Sequence, residues 1–459
     1  MGYICRMWRS GNWREEAPAL LRLAGPLIVN NLAIAGMQFA DAVMSGRLGA
    51  EALAAVAVGS SVWFFGFVIC LGILMAISPI AARHSGAGSP ELIGRYTRQG
   101  MYLGIAFGLL LIVLAHLTVE PLLTQIGIDE SFRKLTVGYV LAIVPGAPAI
   151  FVFLALRFTT EGIGHTRPIM YASVFSLVCN VFLNYVLMFG HFGAPALGVV
   201  GCGLASAITM WLIMIVLATH MKMSSHYAPL KIFSRVSPLR PQALKEILVL
   251  GVPIAVTITA EAGLFNAVSI LMGTRGAAIA AAHQIAINFA ATMFMVPLAL
   301  SSAITIRVGH ALGAGNAAAA RFSGGLGILI CTLFMSVSAT FLLIFRDAVV
   351  TLYTNDTSVT SIAISLLLMA AIFQIADGAQ IGAAGALRGY KDTRMPMAIN
   401  IFAYWVMAFP LAYMAAVTFQ SPPSYVWGGF VIGLAIAGIL LTWRYARVSH
   451  AYLQPESAA

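Results

Sequence analysis

Three carboxylic residues lie inside long apolar stretches of the sequence, where ionised side chains are rare. They are Asp41, Glu261 and Asp377, and Glu261 is the only charged residue from Ile247 to Met272. A charge at the centre of a bilayer costs about 3 kcal/mol. No Lys or Arg is predicted at a matching depth, so each acid must take up a proton or bind a cation. A purely structural role, in which the acid holds helices together through hydrogen bonds, is the alternative for any one of the three.

Polar residues at helical spacing accompany these acids. Those near Asp41 are Asn31, Gln38 and Ser45, and those near Asp377 are Gln374 and Gln380. Residues three or four apart share one face of a helix, so each acid is predicted to face the interior of a helix bundle or water. Asn180 and Asn184 are also one turn apart. For this pair, helix–helix hydrogen bonding and a functional role are equal alternatives.

The composition indicates that these acids belong to a polytopic membrane protein. Hydrophobic residues make up 60% of the chain and charged residues only 9%, whereas a soluble domain has about 25% charged residues. The charged N-terminal segment is not typical of a cleavable signal peptide. The net charge of +10 is explained by Lys and Arg collecting on the cytoplasmic side of a membrane, so no nucleic-acid partner is predicted. Because no catalytic motif is present, we expect a protein that is not an enzyme.

Windows of about 19 residues predict twelve membrane-spanning helices, so the fold class is all-α. The predicted spans are 20–45, 53–80, 99–119, 135–159, 168–190, 199–220, 247–272, 279–305, 323–345, 359–386, 395–418 and 427–446. With both termini in the cytoplasm, most Lys and Arg fall in the tails and in every second loop, as the positive-inside rule requires.

An internal repeat divides the chain into two halves. One constant shift moves Pro26 onto Pro253, Gly49 onto Gly276 and Thr166 onto Thr393. An even number of spans returns the chain to its starting side, so the halves are predicted to be two six-helix bundles related by a pseudo-twofold axis along the membrane normal. The predicted domains are an N-terminal bundle (1–221), a basic cytoplasmic linker (222–246) and a C-terminal bundle (247–459). Such bundles typically surround a central cavity and work by alternating access.

Four segments carry a resemblance to a known family. They are "MQFADAVMSGRLGAEALAAVAVGSS" from Met37, "AEAGLFNA" from Ala260, "FQIADGAQ" from Phe373 and "GALRGYKDTRMPM" from Gly385. Together with the twelve spans, they make the chain resemble the multidrug and toxic compound extrusion (MATE) transporters of the NorM-like branch, from about Ala17 to Arg447.

The resemblance implies an efflux antiporter that exports cationic, often aromatic compounds in exchange for Na⁺ or H⁺. The residues that it assigns to cation binding and coupling are Glu261, Asp377, Asp41 and Phe265; in a sodium-coupled protein, Glu261 and Asp377 would bind the metal ion. The residues that it assigns to substrate binding are Asp41, Asp356, Ser61 and Gln284. Two positions depart from relatives: Asn355 replaces a second acid, and Asn184 replaces the aspartate of another bacterial branch.

The resemblance further implies a bacterial inner membrane location, with a cationic drug, a monovalent cation and the lipid bilayer as partners. Neither a cofactor beyond the coupling ion nor an obligate protein partner is expected. A flippase for lipid-linked precursors is the main alternative, and it should show Arg or Lys deep in its cavity to bind pyrophosphate. A membrane receptor without transport activity is a second alternative, which the repeat and the three acids disfavour. A major-facilitator transporter would carry a charged signature in its second loop, and the sequence lacks one.

Overall fold

The computed structural model describes residues 12–234, 238–354 and 356–454. Within these ranges the chain is helical and contains no β-strand. Twelve helices of the described chain are long and apolar enough to cross a membrane, which confirms the prediction from hydropathy. Spans 1 to 12 are Trp13–Arg47, Ala50–Gly86, Pro90–Gln125, Glu130–Gly162, Arg167–Phe189, Gly198–Met223, Pro241–Gly273, Ala277–Gly313, Ala317–Thr351, Thr357–Gly389, Arg394–Thr418 and Pro423–Ala451.

Three spans contain internal irregularities. Span 2 consists of Ala50–Leu74 and Ile77–Gly86, and span 4 consists of Glu130–Ile143 and Ala147–Gly162 joined by a 3₁₀ turn. That turn contains Pro145, whose missing N–H interrupts the helical hydrogen bonds. Span 11 consists of Arg394–Ile401, a π-helical segment Phe402–Ala408, Phe409–Tyr413 and a second π-helical segment Met414–Thr418.

The described chain forms two compact units. The first, called the N-terminal unit, contains Gly25–Ser85 and Ser89–Ala255. The second, called the C-terminal unit, contains Gly86–Gly88, the residues from Val256 onward and the described residues up to Ala24. The N-terminal unit buries a cluster that includes Cys202, and the C-terminal unit buries the large side chains Tyr404 and Trp427. The domain boundaries and the pseudo-twofold axis remain predictions.

The internal repeat is visible in the backbone of the turns. Gly49 and Gly276 precede spans 2 and 8 with φ angles of +120° and +118°. Gly88 and Gly315 precede spans 3 and 9 with φ angles of +65° and +75°. L-residues rarely adopt positive φ, so glycine is favoured at each of these turns. The constant shift found in the sequence therefore joins turns of the same conformation.

The predicted linker packs on the N-terminal unit after a 3₁₀ turn, Ser225–Leu230. Lys231 donates to Glu91 at 2.6 Å, and Glu246 accepts a hydrogen bond from Tyr96. Further hydrogen bonds join Arg98 and Gln99 to the linker backbone, so the linker is bonded to span 3 at several places. Its residues 235–237 lie outside the described ranges.

Candidate cation-binding site

Glu261 and Asp377 come together within the C-terminal unit. Span 7 carries Glu261, which is partly buried, and span 10 carries Asp377, which is only 3% exposed. The two carboxylates lie close enough for electrostatic repulsion when both are ionised. A proton or a monovalent cation taken up by the pair relieves that repulsion. The structure thus brings into electrostatic range two acids that are far apart in sequence, and the cation-binding role that the resemblance assigns to them remains a prediction.

Asp377 and its neighbours along span 10 carry polar atoms without protein partners. Within the described chain, the Oδ1 atom of Asp377 is buried without a hydrogen-bond partner, as are both amide atoms of Gln374. The Gln380 amide nitrogen donates to Tyr404 Oη at 2.9 Å, whereas its Oε1 atom is buried without a partner. Buried polar groups are nearly always hydrogen-bonded. This concentration of exceptions marks a place where a proton or cation would be favourably bound.

Aromatic side chains pack together close in sequence to the two acids. Phe265 follows Glu261 by one helical turn, and its ring centroid lies 5.0 Å from that of Phe430 and 6.1 Å from that of Phe373. Trp427 packs on Phe430 at 5.5 Å. Phe265 therefore belongs to an aromatic cluster of the C-terminal unit, and the role in cation binding that the resemblance assigns to it remains a prediction.

One expectation about these acids is wrong. We expected no Lys or Arg at a matching depth, but Arg388, at the end of span 10, lies within electrostatic range of Glu261. Arg388 Nη2 also donates to Ser301 Oγ at 2.6 Å, which holds the guanidinium in place. The sequence did not reveal this electrostatic interaction, because Arg388 lies at the end of its span and Glu261 near the middle of another. The guanidinium offsets one of the two negative charges.

The donor set around the two carboxylates fits a hard monovalent cation such as Na⁺. Among the residues that the structure describes, no group of three or more His, Cys, Asp or Glu is placed to hold a metal ion. A bound Na⁺ would therefore combine Glu261 and Asp377 with neutral oxygens, and hard cations prefer such ligands. The unpartnered amide oxygens of Gln374 and Gln380 lie three residues to either side of Asp377.

Asp41 lies in a separate polar network of the N-terminal unit. Its Oδ1 atom accepts from Asn184 Nδ2 at 2.5 Å, and the same amide nitrogen lies 3.3 Å from Asn180 Oδ1. Cys202 also hydrogen-bonds to Asp41, and Asn180 reaches Ser206 Oγ at 3.5 Å. The asparagine pair thus makes hydrogen bonds between helices, the structural alternative considered for it. Asp41 therefore accepts from more than one donor, and its role in coupling or substrate binding remains a prediction.

Sequence reasoning missed a buried ion pair in the same unit. Arg157 Nε donates to Glu161 Oε1 at 2.7 Å, and the side chains are 13% and 2% exposed. The predicted fourth span ended at residue 159 and left Glu161 in a loop, whereas the helix continues to Gly162. The signal that could have found the pair is the spacing of four between an arginine and a glutamate.

Three residues that the resemblance assigns to substrate binding are exposed, and their roles remain predictions. Asp356 caps span 10 by accepting from Ser358 N at 2.9 Å and from Ser358 Oγ at 2.7 Å, and these bonds lower its pKa. Its neighbour Asn355 lies outside the described residues. Ser61 Oγ bonds to a backbone carbonyl of its own helix.

Gln284 begins a polar stripe on the exposed face of span 8. Its amide nitrogen donates to Asn288 Oδ1 at 2.9 Å, and Thr292 Oγ1 donates to the Asn288 carbonyl at 2.8 Å. All three residues are exposed. Polar side chains inside a membrane span face water or protein rather than lipid. We therefore add Asn288 to the candidate substrate-binding residues. Its spacing of four from Gln284 is the signal that sequence reasoning overlooked.

Comparison with known proteins gives consistent matches over nearly the whole chain. The sequence model of the MatE family matches residues 26–186 and 253–414. The multidrug resistance protein PmpM of Pseudomonas aeruginosa is 37% identical over 445 residues, which cover 96% of this chain and 93% of the relative. The probable multidrug resistance protein NorM of Shewanella oneidensis is 37% identical over 430 residues, which cover 93% of each chain.

Solved structures share the fold at lower identity. An outward-facing multidrug resistance MATE family transporter of the MOP superfamily gives a TM-score of 0.87 at 21% identity, covering 95% of this chain and 96% of the other. The eukaryotic MATE transporter AtDTX14 gives a TM-score of 0.85 at 21% identity, covering 96% and 99%. At this level of identity, the likeness shows the fold alone.

Proposed function

This chain belongs to the MatE family of multidrug efflux transporters, and from that membership we propose that it exports cationic and aromatic compounds in exchange for Na⁺ or H⁺. Family membership and the NorM-like resemblance are shown by the family match and the curated relatives. The proposal concerns the ion exchange, the class of substrate and the residues that bind the ion and the substrate.

The observation that carries the proposal is the charge balance around Glu261. Two neighbouring carboxylates and one guanidinium, Arg388, interact electrostatically. With both acids ionised, the three groups sum to one negative charge, and one proton or one Na⁺ makes them neutral. Because excess charge in a low-dielectric interior is costly, the group has a reason to bind one cation.

Exchange follows when a cationic drug and the coupling ion draw on the same negative charge. A coupling ion that enters from outside neutralises Glu261 and Asp377 and so favours release of the drug. Loss of the ion to the cytoplasm restores the negative charge and favours binding of another drug. Each ligand thereby weakens the other by the same factor. Alternating access, in which the substrate site opens to one side of the membrane at a time, completes the cycle.

The contacts of the buried arginines argue against a flippase for lipid-linked precursors. Such a protein needs buried positive charge to hold a pyrophosphate. Arg157 is paired with Glu161 at 2.7 Å, and Arg388 bonds to Ser301 and is attracted to Glu261. These buried cations are therefore compensated within the protein.

We further propose that the protein resides in the bacterial inner membrane with both termini in the cytoplasm. The distribution of Lys and Arg among alternate loops supports this orientation. Labelling of a cysteine introduced at Lys391, with an impermeant maleimide in inverted and right-side-out vesicles, tests it. Labelling in right-side-out vesicles would refute it.

The test of antiport is ethidium transport in vesicles that contain wild type, Glu261→Gln, Asp377→Asn or the control Glu130→Gln. Glu130 is an exposed acid, with 71% of its side chain accessible. An imposed Na⁺ gradient and an imposed pH gradient are compared separately. We expect wild type and Glu130→Gln to move ethidium with one gradient, and both site variants to lose that response at equal membrane insertion. Transport by Glu261→Gln at the wild-type rate would refute the coupling role, and a wild type indifferent to both gradients would refute antiport.

A further inference from the structure

Span 11 buries a row of polar side chains inside the C-terminal unit. Thr393 immediately precedes the span, and Asn400 and Tyr404 follow it at spacings of seven and four, which keep all three on one side of a helix. They are 4%, 0% and 0% exposed. We call these three residues the polar face of span 11. Apolar residues would suffice to pack the span against its neighbours, so the polar face needs another explanation.

Asn400, at the middle of the polar face, has no protein partner for its amide group. Within the described chain, its Oδ1 and Nδ2 atoms are both buried without a hydrogen-bond partner. Buried polar groups are nearly always hydrogen-bonded, because leaving a buried donor or acceptor unpaired is unfavourable. A water molecule supplies what both atoms lack, since it donates and accepts at once, and buried waters typically bond to such groups.

Thr393 adds a hydroxyl that its own helix does not use. It occupies the N-cap position of the helix Arg394–Ile401 but makes no capping bond with its side chain. A threonine at this position usually accepts from the backbone N–H of the second or third helical residue, and the third is Pro396, which has no N–H. In the part of the chain that the structure describes, the Thr393 Oγ1 atom is buried without a partner. The hydroxyl is therefore available to a second water molecule.

Tyr404 connects the polar face to the two acids of the candidate cation-binding site. Its Oη atom accepts from Gln380 Nε2 at 2.9 Å, which leaves the proton of the tyrosine hydroxyl to be donated elsewhere. Gln380 follows Asp377 by three residues on span 10, and its own Oε1 atom is buried without a partner within the described ranges. Tyr404 also lies within electrostatic range of Glu261 and Asp377. Polar groups thus continue from the acids through Gln380 to the polar face.

We propose that the polar face binds a row of buried water molecules, and that a proton held by Glu261 and Asp377 leaves along it to the cytoplasm. This route rests on the exchange proposed above, with H⁺ as the coupling ion, and it lies wholly within the C-terminal unit. Its far end, Thr393, is followed by the exposed Arg394, in a loop that the distribution of Lys and Arg assigns to the cytoplasm. Hydroxyls, amides and water in such a row pass a proton by exchanging hydrogen bonds, and polar residues inside membrane spans often mark relays of this kind.

The first measurement asks whether water lies on the polar face. X-ray pulses generate hydroxyl radicals from water, and a bound water oxidises the side chain beside it even when that side chain is buried. The detergent-purified full-length protein is irradiated, and oxidation of Tyr404 is measured by mass spectrometry. Trp427 is the internal control, because it is fully buried in the same unit and its Nε1 atom already donates to His283 at 3.1 Å. We expect Tyr404 to be oxidised and Trp427 to be protected.

Three variants show whether Asn400 holds this water. Asn400→Leu keeps the shape of the side chain and removes both polar atoms, whereas Asn400→Ser keeps a donor and an acceptor. Thr332→Val is a control from the same unit, because the Thr332 hydroxyl is already bonded to a carbonyl of its own helix at 2.9 Å. Each hydrogen bond to a bound water contributes about fivefold to its occupancy, so Asn400→Leu should lower oxidation of Tyr404 about 25-fold. Asn400→Ser should lower it less, and Thr332→Val should leave it unchanged. Protection of Tyr404 in wild type, or equal oxidation in wild type and Asn400→Leu, would overturn the proposal.

The second measurement is ethidium transport driven by an imposed pH gradient, in vesicles that contain equal amounts of each protein. Thr393→Val, which removes only the hydroxyl, joins the variants above. We expect Thr393→Val to slow transport about fivefold and Asn400→Leu to slow it more, while both bind ethidium as wild type does and Thr332→Val transports normally. Loss of the water in Asn400→Leu with transport at the wild-type rate, or an equal slowing in Thr332→Val, would overturn the proton route. A wild type that does not respond to the pH gradient would refute proton coupling and this route together, whereas oxidation of Tyr404 would still establish the water site.

Discussion

Removing one partner of the buried Arg157–Glu161 pair should destabilise the protein far more than removing an exposed one. The Glu161→Gln variant leaves the Arg157 guanidinium, 13% exposed, without the carboxylate that lies 2.7 Å from its Nε atom. Loss of one partner of a buried ion pair costs about 3–5 kcal/mol. We expect the lower end, about 3 kcal/mol, because the Asn30 amide lies 3.2 Å from the same guanidinium when its oxygen faces it.

The pair also makes a prediction about the double variant. Replacing a buried ion pair by apolar residues of similar volume is close to neutral. Arg157→Met/Glu161→Met should therefore recover most of the stability lost in Glu161→Gln. For a unit of this size, about 3 kcal/mol corresponds to a fall of roughly 6–12 °C in the apparent melting temperature.

The assay is thermal unfolding of the detergent-purified full-length protein, followed by size-exclusion chromatography after heating. The control is Glu130→Gln, which removes exposed pairs with Arg133 and Lys134 at 3.9 and 3.7 Å. Exposed pairs contribute less than about 1 kcal/mol, so this variant should melt within about 3 °C of wild type. Equal melting temperatures for Glu161→Gln and Glu130→Gln, or a double variant less stable than Glu161→Gln, would refute the reasoning.

Three further predictions concern polar groups at or near the membrane spans. Asp356→Ser keeps a side-chain oxygen for the helix cap, so it should keep thermal stability, and it should lose drug transport only if the charge contacts substrate. Asp356→Ala loses the cap, and its deficit in melting temperature should shrink below about pH 4, where the wild-type carboxylate protonates; a deficit independent of pH would contradict this. Asn184→Ala removes the 2.5 Å bond to Asp41 and should cost about 1.5–3 kcal/mol, as measured by thermal unfolding. Tyr404→Phe leaves the buried Gln380 amide without its partner at 2.9 Å and should cost about 1–3 kcal/mol, which Tyr404→Phe/Gln380→Leu should largely restore.

The number and approximate positions of the spans could be predicted because the cost of burying charge in lipid shapes the whole composition. The ends of the helices could not, because a helix continues beyond the apolar stretch wherever its last turns find partners. Span 1 begins at Trp13 rather than residue 20, and its first turns include Glu16, which bonds to Arg307 Nε at 2.8 Å and to Ser323 Oγ at 2.6 Å. No local signal in the sequence names those partners.

The same distinction applies to the candidate site. The acids Glu261 and Asp377 could be found because an ionised residue in an apolar stretch is unusual wherever it occurs. Arg388 could not be related to Glu261, because their electrostatic interaction depends on where the folded chain places spans 7 and 10. The π-helical segment Phe402–Ala408 was equally beyond prediction. It contains Tyr404, the partner of Gln380, and such segments often occur at functional sites.

The contacts of Asp41 and Asp377 suggest where uptake of a cation stabilises the protein most. Asp41 accepts hydrogen bonds from Asn184 and Cys202, and donors of this kind stabilise a carboxylate in its charged form. Asp377 is 3% exposed and, within the described chain, one of its oxygens is buried without a partner while a second acid repels it. An ion or proton delivered to Asp377 therefore replaces interactions that the protein does not supply, whereas one delivered to Asp41 must compete with bonds already made. We infer that the Glu261–Asp377 pair is the primary site of the coupling ion. Asp377→Asn should accordingly abolish the response of transport to the ion gradient more completely than Asp41→Asn, and the reverse order in the vesicle assay would place coupling at Asp41.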